Sequence, residues 1–388
     1  MKRSHRISCP PRSAVLCLLI LATSVRAGDF SVSEVASGLE HPWGIGFLPG
    51  GTVLVTERAG RLRRIVEGRL LPEPVAGLPE VLARGQGGLF EVLPHPDFQR
   101  NRLLFLSFAK GDLEANGTAV ARARYADGRL EDLRIIFEAR PSKRGPAHFG
   151  GRMAFLPDGT LLLGLGDGFD LREEAQNLRS HLGKIVRITS DGRVPEDNPF
   201  AGREDALPEI FSYGHRNVQG LIVDQGAVYA HEHGPRGGDE LNRIEPGLNY
   251  GWPLATSGVD YSGALITPYR RYPGTVAPLV EWTPSIAPAG LIRYRGEMFP
   301  EWKGDFLIAA LAGRGLWRVR LDPFDRLIEQ EKLLNDLGER LREVREAPDG
   351  SIWLGTDSRN GRVLRLHRAS GASSSSSKAR SSGASSGW

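Results

Sequence analysis

Cysteine is almost absent: the 388 residues hold two, Cys9 and Cys17, both within the first 27. The rest of the chain therefore has no disulfide, no thiol nucleophile, no thiolate metal ligand and no cysteine-based haem attachment. Long apolar runs are missing as well. Residues 14–22 are apolar but too few to span a bilayer, and no other stretch comes near the roughly 18 residues a span requires. There is no Gly-x-Ser-x-Gly elbow, no P-loop and no His-Glu-x-x-His. Gly164-Leu165-Gly166-Asp167-Gly168 lacks the following helix and the spacing of a dinucleotide fingerprint. Acid is lacking at both ends. Residues 1–27 carry five basic residues and residues 368–388 three, so a chain of net charge +4 has a body of −4. The basic balance belongs to the termini and gives no ground for a nucleic-acid-binding body.

What is present begins with an export signature. Lys2, Arg3, Arg6 and Arg12 precede the short apolar stretch, and Val25-Arg26-Ala27 ends in a small residue. Residues 1–27 read as a signal peptide, placing the protein in the periplasm or outside the cell. Residues 368–388 are mostly Ser, Gly and Ala with nothing to bury, and read as a disordered tail. Between them, residues 28–367 repeat one pattern: a short apolar strand, a Pro-Gly-Gly or Pro-Asp-Gly turn, and a second apolar strand. It is clearest in residues 43–65, 151–166 and 342–366, and weaker in 90–110, 221–231 and 304–321. These turns supply the fixed and positive φ angles of tight hairpins. Six units of about 57 residues each suit four-stranded blades, so the expectation is an all-β, six-bladed β-propeller of antiparallel blades. Helical pattern is confined to 172–183, and to 328–341 as a short helix or an irregular loop.

Four polar clusters interrupt the strands. Gly85-Gln86-Gly87-Gly88 is a glycine-rich turn, between blades or at a ligand. His148-Phe149-Gly150-Gly151-Arg152 sets an imidazole, able to take a proton near neutral pH, beside two residues that leave room for a substrate. A structural histidine is the plainer alternative. Gly214-His215-Arg216-Asn217-Val218-Gln219-Gly220 offers adjacent Arg and Asn, which in a pocket bind a carboxylate or polarise a carbonyl, and otherwise form a solvated loop. His231-Glu232-His233-Gly234-Pro235-Arg236-Gly237-Gly238-Asp239-Glu240, followed by Asn249-Tyr250-Gly251-Trp252-Pro253, looks superficially like a zinc site but lacks a third ligand in reach. Calcium fits its carbonyls and the carboxylates of Asp239 and Glu240 better, with a purely structural loop as the alternative.

Taken together, the motifs GLEHPWGIGFLP, RGQGGL, HFGGRM, LGKIVRI, GHRNVQGL, HEHGPRGGDELN, NYGWP, WTPSIAPAG and REVREAPDG, in that order, resemble the soluble aldose sugar dehydrogenases that use pyrroloquinoline quinone (PQQ). The resemblance runs from about Leu39 to Leu366. It implies a propeller with PQQ on top of its central channel, oxidising aldose sugars at C1 to lactones. His148 would be the general base, with hydride passing to the quinone C5. It implies that Gln86 contacts cofactor or substrate, that Arg216 and Asn217 stand at the quinone carbonyl, and that the carbonyls of Gly234 and Pro235 hold calcium. Glu240 and the main-chain oxygen of Tyr250 match a further calcium site. Arg340 and Arg342 match arginines that neutralise and cover PQQ. Ala312 stands where related enzymes have a cofactor lysine, and Arg314, two residues on and on the same face if this is a strand, is the substitute charge. His233 replaces a glutamine, and either Trp282 or Thr283 falls at the place of a tryptophan that stacks on substrate. Electrons would leave to an external acceptor, and monomer and dimer both remain open. A calcium-dependent propeller lactonase and a non-catalytic carbohydrate-binding propeller are the competing readings.

Overall fold

The computed structural model describes residues 30–369; the expected signal segment, residues 28–29 and all but the first two residues of the expected tail lie outside the described residues. Twenty-four strands form six four-stranded antiparallel sheets. Blade I comprises Pro42–Phe47, Val53–Glu57, Arg61–Val66 and Arg69–Leu70. Blade II comprises Leu89–Pro94, Leu103–Gly111, Asn116–Ala126 and Arg129–Glu138. Blade III comprises Gly150–Phe155, Leu161–Leu165, Lys184–Ile188 and Ile210–Tyr213. Blade IV comprises Val218–Asp224, Ala227–Glu232, Asp239–Ile244 and Val280–Trp282. Blade V comprises Pro288–Arg293, Phe306–Ala310, Gly315–Leu321 and Leu327–Leu333. Blade VI takes Leu341–Glu346, Ile352–Thr356 and Gly361–Arg368 from the end of the chain and its outermost strand, Phe30–Leu39, from the beginning. The first-named strand of each blade is innermost. It packs against the innermost strands of both neighbours, and the sixth meets the first, which closes the propeller.

Blade-on-blade packing explains why period-two alternation is only rough in the sequence. Val53–Glu57, Leu161–Leu165 and Phe306–Ala310 are buried at every position, because each lies in a sheet covered on both faces. The apolar cores sit between neighbouring blades: Leu54, Leu62, Leu89 and Leu104 join blades I and II, and Tyr229, Leu241, Leu291 and Phe306 join IV and V. The Pro-Asp-Gly turns put Gly159 and Gly350 at φ +82° and +79°, where a side chain would be strained.

In all six blades the pairing of the innermost strand with the second slips near the start of the innermost strand. The slips fall between Pro42 and Ile45, Leu89 and Val92, Gly150 and Met153, Val218 and Gly220, Pro288 and Leu291, and Leu341 and Glu343. Such bulges bend a strand and re-aim its side chains. Here they turn the chain at one end of the axis, where the polar clusters lie.

Several local expectations change. The 304–321 repeat is the second and third strands of blade V. Its innermost strand, Pro288–Arg293, carries Pro, Ala and Gly and so lacks a strand's usual composition. Residues 172–183 hold only a 3₁₀ turn, Arg172–Gln176, and 328–341 is mainly the edge strand Leu327–Leu333 followed by the turn Asn335–Leu337. Arg368, assigned to the tail, ends the last strand, where its guanidinium pairs with Glu301 and donates to the Met298 carbonyl. Among the described residues no helix is long and apolar enough to cross a membrane.

Candidate active site

His148 is buried at the turn into blade III, its backbone in the left-handed region at φ +51°. The two residues after Phe149 must be glycine. Gly150 and Gly151 have φ +70° and +110°, and a Cβ on Gly150 would stand 2.4 Å from the Gly164 carbonyl oxygen. The His148 amide donates to Gln86 Oε1 at 2.8 Å, so the first two clusters meet. On the other side, His148 Nδ1 lies 2.7 Å from Asp167 Oδ1. Asp167 is fully buried and also accepts from the Phe169 amide and from Trp252 Nε1, both at 2.8 Å. An acceptor-only carboxylate at Nδ1 fixes the proton there. Nε2 is left with its lone pair and no hydrogen-bond partner among the described residues.

Burial drives the His148 pKa down, and the Asp167 hydrogen bond and charge offset only part of that, so the net shift is downward. The imidazole is therefore neutral and able to accept a proton at pH 7. Burial disfavours charge on Asp167, yet the His148 hydrogen bond, the nearby Arg216 and the Phe169 amide carry its pKa below the usual carboxylate value. The pair is thus a neutral base oriented by an ionised carboxylate.

Two cavities adjoin this pair. The first, about 220 Å³, lies over the innermost strands. Its walls include Trp43, Arg58, Gln86, Asn217, His233 and Arg342, with Phe149, Arg340 and Asp357. Three guanidiniums face one carboxylate, leaving an excess of positive charge. Asp357 is shared by Arg340 at 3.0 Å, by Arg342 at 3.9 Å and by His41 at 2.9 Å. Against the cost of burial, the charge of Arg342 and these bonds hold its pKa at about 2. Arg342 is itself pushed down to about 10, first by burial and then by the charges of Arg152, Arg340 and Arg58. A guanidinium so placed gains from an anion beside it. Arg152, outside the cavity, lies 4.0 Å from the centre of the Trp43 ring and pairs with Glu91 at 2.9 Å and with Glu343. Arg345, half-buried, pairs with Glu91 at 2.7 Å and with Glu343 at 3.6 Å, so two acids and two arginines form a closed ring.

The second cavity, about 520 Å³, is lined by Phe169, Arg172, Arg216, Trp252, Asp260 and Tyr261, among others. His148 lines neither cavity itself. Phe149 and Gly150 beside it line the first, and Phe169, packed edge-on against its ring at 5.0 Å, lines the second. Arg216 and Asn217, adjacent in sequence, thus face different cavities. Arg216 Nη1 donates to the carbonyls of His233 and Gly234 at 3.0 and 2.8 Å, and its amide donates to Glu232. Asn217 Oδ1 accepts from the Gly150 amide at 3.2 Å.

The acidic loop sorts into distinct roles. Asp239 is an anchor, accepting from the Gly234 amide, Ser285 Oγ and the Ala287 amide at 2.9, 2.7 and 2.9 Å; its oxygens are taken up in shaping the Gly234-Pro235 turn. Glu240 and Tyr250 line a common cavity of about 500 Å³. Burial, followed by the charge of Glu232, raises the Glu240 pKa well above the usual carboxylate value, and no ion pair reaches Glu240 among the described residues. Added positive charge would relieve it, so the oxygen donors here suit a hard cation. The Tyr250 hydroxyl is engaged with the Arg243 carbonyl and the Glu245 amide, both at 2.7 Å. His231 is buried with neither ring nitrogen paired among the described residues, while His233 Nε2 lies 2.7 Å from the Pro288 carbonyl.

The strand argument for Arg314 does not hold. Leu311 to Arg314 form the turn after Phe306–Ala310, because the chain must reverse at the top of the blade. Ala312 and Arg314 are both exposed there, and Leu311 is the residue that lines the first cavity. Trp282 is buried between blades IV and V, its Nε1 donating to Gln330 at 3.0 Å, and Thr283 accepts from the Gly238 amide at 2.9 Å. Neither offers an open aromatic face. The sequence reading missed Asp167, Arg58, Trp43 and Asp357. For Asp167 a signal existed in the Gly166-Asp167-Gly168 turn after an all-buried strand, set aside once a nucleotide role was excluded.

This site is a histidine–carboxylate pair between a cationic cavity and a polar one atop a six-bladed propeller, and comparison with known proteins gives its class, the sugar dehydrogenases. The pattern of the Glucose / Sorbosone dehydrogenase family matches residues 39–365, and the chain belongs to that family. It is 39% identical to the aldose sugar dehydrogenase YliI of Escherichia coli strain K12, covering 90% of this chain and 96% of that one. A solved glucose dehydrogenase superposes with a TM-score of 0.84 at 47% identity, over 86% of this chain and 99% of its own. The PQQ-bound aldose sugar dehydrogenase from Streptomyces coelicolor does so with a TM-score of 0.72 at 31% identity, over 89% of this chain and all of its own.

Proposed function

We propose that this protein is an exported, PQQ- and calcium-dependent dehydrogenase that oxidises aldose sugars at C1 to lactones and passes the electrons to an external acceptor. The observation that carries the reading is the His148–Asp167 pair, with Nε2 unpaired and the adjoining Phe149 and Gly150 in the wall of an arginine-rich cavity. A planar tricarboxylate suits the excess charge of Arg58, Arg340 and Arg342 and the aromatic wall of Trp43, with Asn217, Gln86 and His233 as polar partners. Gly234 and Pro235 would hold calcium through main-chain oxygens; the Gly234 carbonyl, already accepting from Arg216, has a second lone pair. Glu240 and Tyr250 would serve the further calcium. When bound, the quinone supplies the hydride acceptor that no side chain offers, and calcium polarises it.

The protein's own part is position and proton transfer. The sugar enters the second cavity, where Arg216 and Trp252 limit its orientation. Nε2 of His148 takes the proton of the C1 hydroxyl as the C1–H bond breaks, and Asp167 stabilises the imidazolium that forms. The exposed place of Arg314 leaves any contact with the cofactor to a movement of its side chain, and Ala312 offers no charge.

The test is reconstitution. The purified protein is titrated with PQQ and calcium, and dye reduction by glucose and other aldoses is followed in the wild type and in His148→Ala. Activity that needs both additions and collapses without His148 is the expected result. Absence of PQQ binding at micromolar concentration would overturn the proposal.

A further inference from the structure

In every blade the turn between the second and third strands returns to the end of the axis where the innermost strands begin. In four adjacent blades, IV, V, VI and I, that turn borders the first cavity, through His233, Leu311, Asp357 and Arg58 in that order. Each of the four turns also carries one arginine: Arg236, Arg314, Arg359 and Arg58. Arg58 is half-buried and the other three are exposed. Arg84, exposed two residues before Gln86 in the connection from blade I to blade II, adds a fifth. None of the five guanidiniums is in an ion pair among the described residues, whereas Arg61, Arg318, Arg320 and Arg362 each sit against a carboxylate. Asp357 is the one acid in the four turns, and it is committed to Arg340, Arg342 and His41. Glu40 and Glu339 nearby are committed to Arg61 and Arg362, which leaves Glu80 and Asp336 as the unpaired acids of the adjoining connections. The equivalent turns of blades II and III are acidic, with Asp112 and Glu114 in one, and with Asp167, Asp170, Glu173 and Glu174 against Arg172 and Arg179 in the other. The face is therefore polarised, and the first cavity lies within its basic side.

We propose that this arc of arginines is the docking surface for the electron acceptor, and that the acceptor is a single-electron carrier protein with an acidic face. The dehydrogenase reading supplies the electrons: oxidation of an aldose to its lactone releases two electrons and two protons, so two carriers are each reduced by one electron and the protons go to solvent. Arginines spread over four blades are too far apart for one small anion to bridge, but a protein surface meets them together. Unpaired, exposed guanidiniums form charge-assisted bonds with carboxylates and raise the rate of encounter with a partner of opposite charge. A brief, steered contact of this kind suits a carrier that must leave once reduced. A protein cannot enter a cavity of about 220 Å³, so it takes electrons across the rim rather than hydride by contact. Outside the arc the charge is adverse to a long polyanion such as nucleic acid, since the body carries −4, whereas a protein with one acidic face meets the arc alone.

The experiment follows electron delivery from the glucose-reduced, reconstituted enzyme to plastocyanin with an acidic patch and to a basic cytochrome c. Salt is set at about 10 mM and about 1 M, where charges are screened over about 30 Å and about 3 Å. Arg84→Glu combined with Arg359→Glu reverses two charges of the arc that the cofactor reading does not use. Arg69→Glu combined with Arg134→Glu makes the same change on the outermost strands of blades I and II. The rate to plastocyanin should fall at least about tenfold from low to high salt, and that to cytochrome c should not fall. At low salt the first variant should lose about tenfold with plastocyanin and the second less than twofold. Equal salt responses for the two carriers, equal losses in the two variants, or a loss that reduction of a neutral dye shares in full would overturn the proposal. Chemical-shift titration of ¹⁵N-labelled plastocyanin with the cofactor-free protein and its variants keeps the two claims apart. If no aldose is oxidised with dye, the dehydrogenase reading fails; plastocyanin binding that depends on Arg84 and Arg359 would still support an acidic partner at the arc, and its absence would refute one. A DNA duplex that binds the wild type more tightly than plastocyanin does would also overturn the assignment.

Discussion

Replacing Asp167 by Asn removes one charge while changing shape little, and its consequence can be worked through atom by atom. Three donors converge on the carboxylate: His148 Nδ1–H and the Phe169 amide on Oδ1, and Trp252 Nε1–H on Oδ2. An amide accepts at only one end. With its oxygen toward His148 and Phe169, its NH₂ opposes the Trp252 donor and leaves a buried pair unsatisfied, at about 1–3 kcal/mol. Turned the other way, its NH₂ faces His148, whose Nδ1 must then accept and whose Nε2 carries the proton, so no base remains. Both orientations lose the negative charge that stabilises the imidazolium. A fall in kcat of roughly 10²–10⁴ is expected, the range of a general-base contribution. The pH profile adds a second readout. Activity requires neutral His148 and declines as pH falls through its pKa, which already lies below the ordinary 6.5. Asp167 raises that pKa, so the variant's acid limb moves to still lower pH. Steady-state kinetics from pH 4.5 to 8, with thermal unfolding to check the fold, decides the matter. A kcat within tenfold of wild type and an unmoved acid limb would refute the reasoning.

Other outcomes follow from the same geometry. Arg342→Gln loses a buried cation of the first cavity; PQQ affinity measured by tryptophan quenching should fall about 10- to 100-fold, the worth of a charge-assisted bond, and unchanged affinity would count against the cofactor's placement there. Glu240 has a folded pKa above its unfolded value, so its contribution to stability is present below about pH 4.5 and is lost as pH rises through the folded value. Glu240→Gln should therefore raise the melting temperature of the calcium-free protein at pH 7 and abolish any further rise on adding calcium, as read by calorimetry with and without chelator. Phe306 is fully buried, edge-on to Tyr229 at 4.9 Å; Phe306→Ala should cost about 3–5 kcal/mol in chemical denaturation, and a cost under 1 kcal/mol would mean that the core between blades IV and V repacks freely.

The blades were legible wherever a turn announced them. Pro157-Asp158-Gly159 and Pro348-Asp349-Gly350 dictate hairpins on their own. Blade V was not, since Pro288–Arg293 has no β-branched residue before Ile292, and the turn Leu311 to Arg314 contains no proline or asparagine. The family motifs placed His148, Gln86, Asn217 and Arg342 around one site, because each sits just before or within an innermost strand. Asp167 and Arg58 escaped notice because their partners are set by folding and are not named by the local sequence. Asp167 reaches a histidine 19 residues back, across the first strand pair of its own blade, and a tryptophan 85 residues on; the glycine-flanked turn that carries it marks the position without naming either partner.

The outermost strand of blade VI carries a consequence for how the molecule is made. Phe30 pairs with Arg368 and Leu39 with Gly361, so the first strand among the described residues waits for the last before it finds its place. Until then blade VI has a bare outer edge. Assembly therefore ends on the longest loop closure the chain can make, an entropic cost paid once and late. Without Phe30–Leu39, blade VI, whose innermost strand begins beside Arg340 and carries Arg342, would be left with three strands and an uncovered edge. The segment at residues 30–39, far from the chemistry in sequence, thus completes the blade that supplies two arginines of the first cavity.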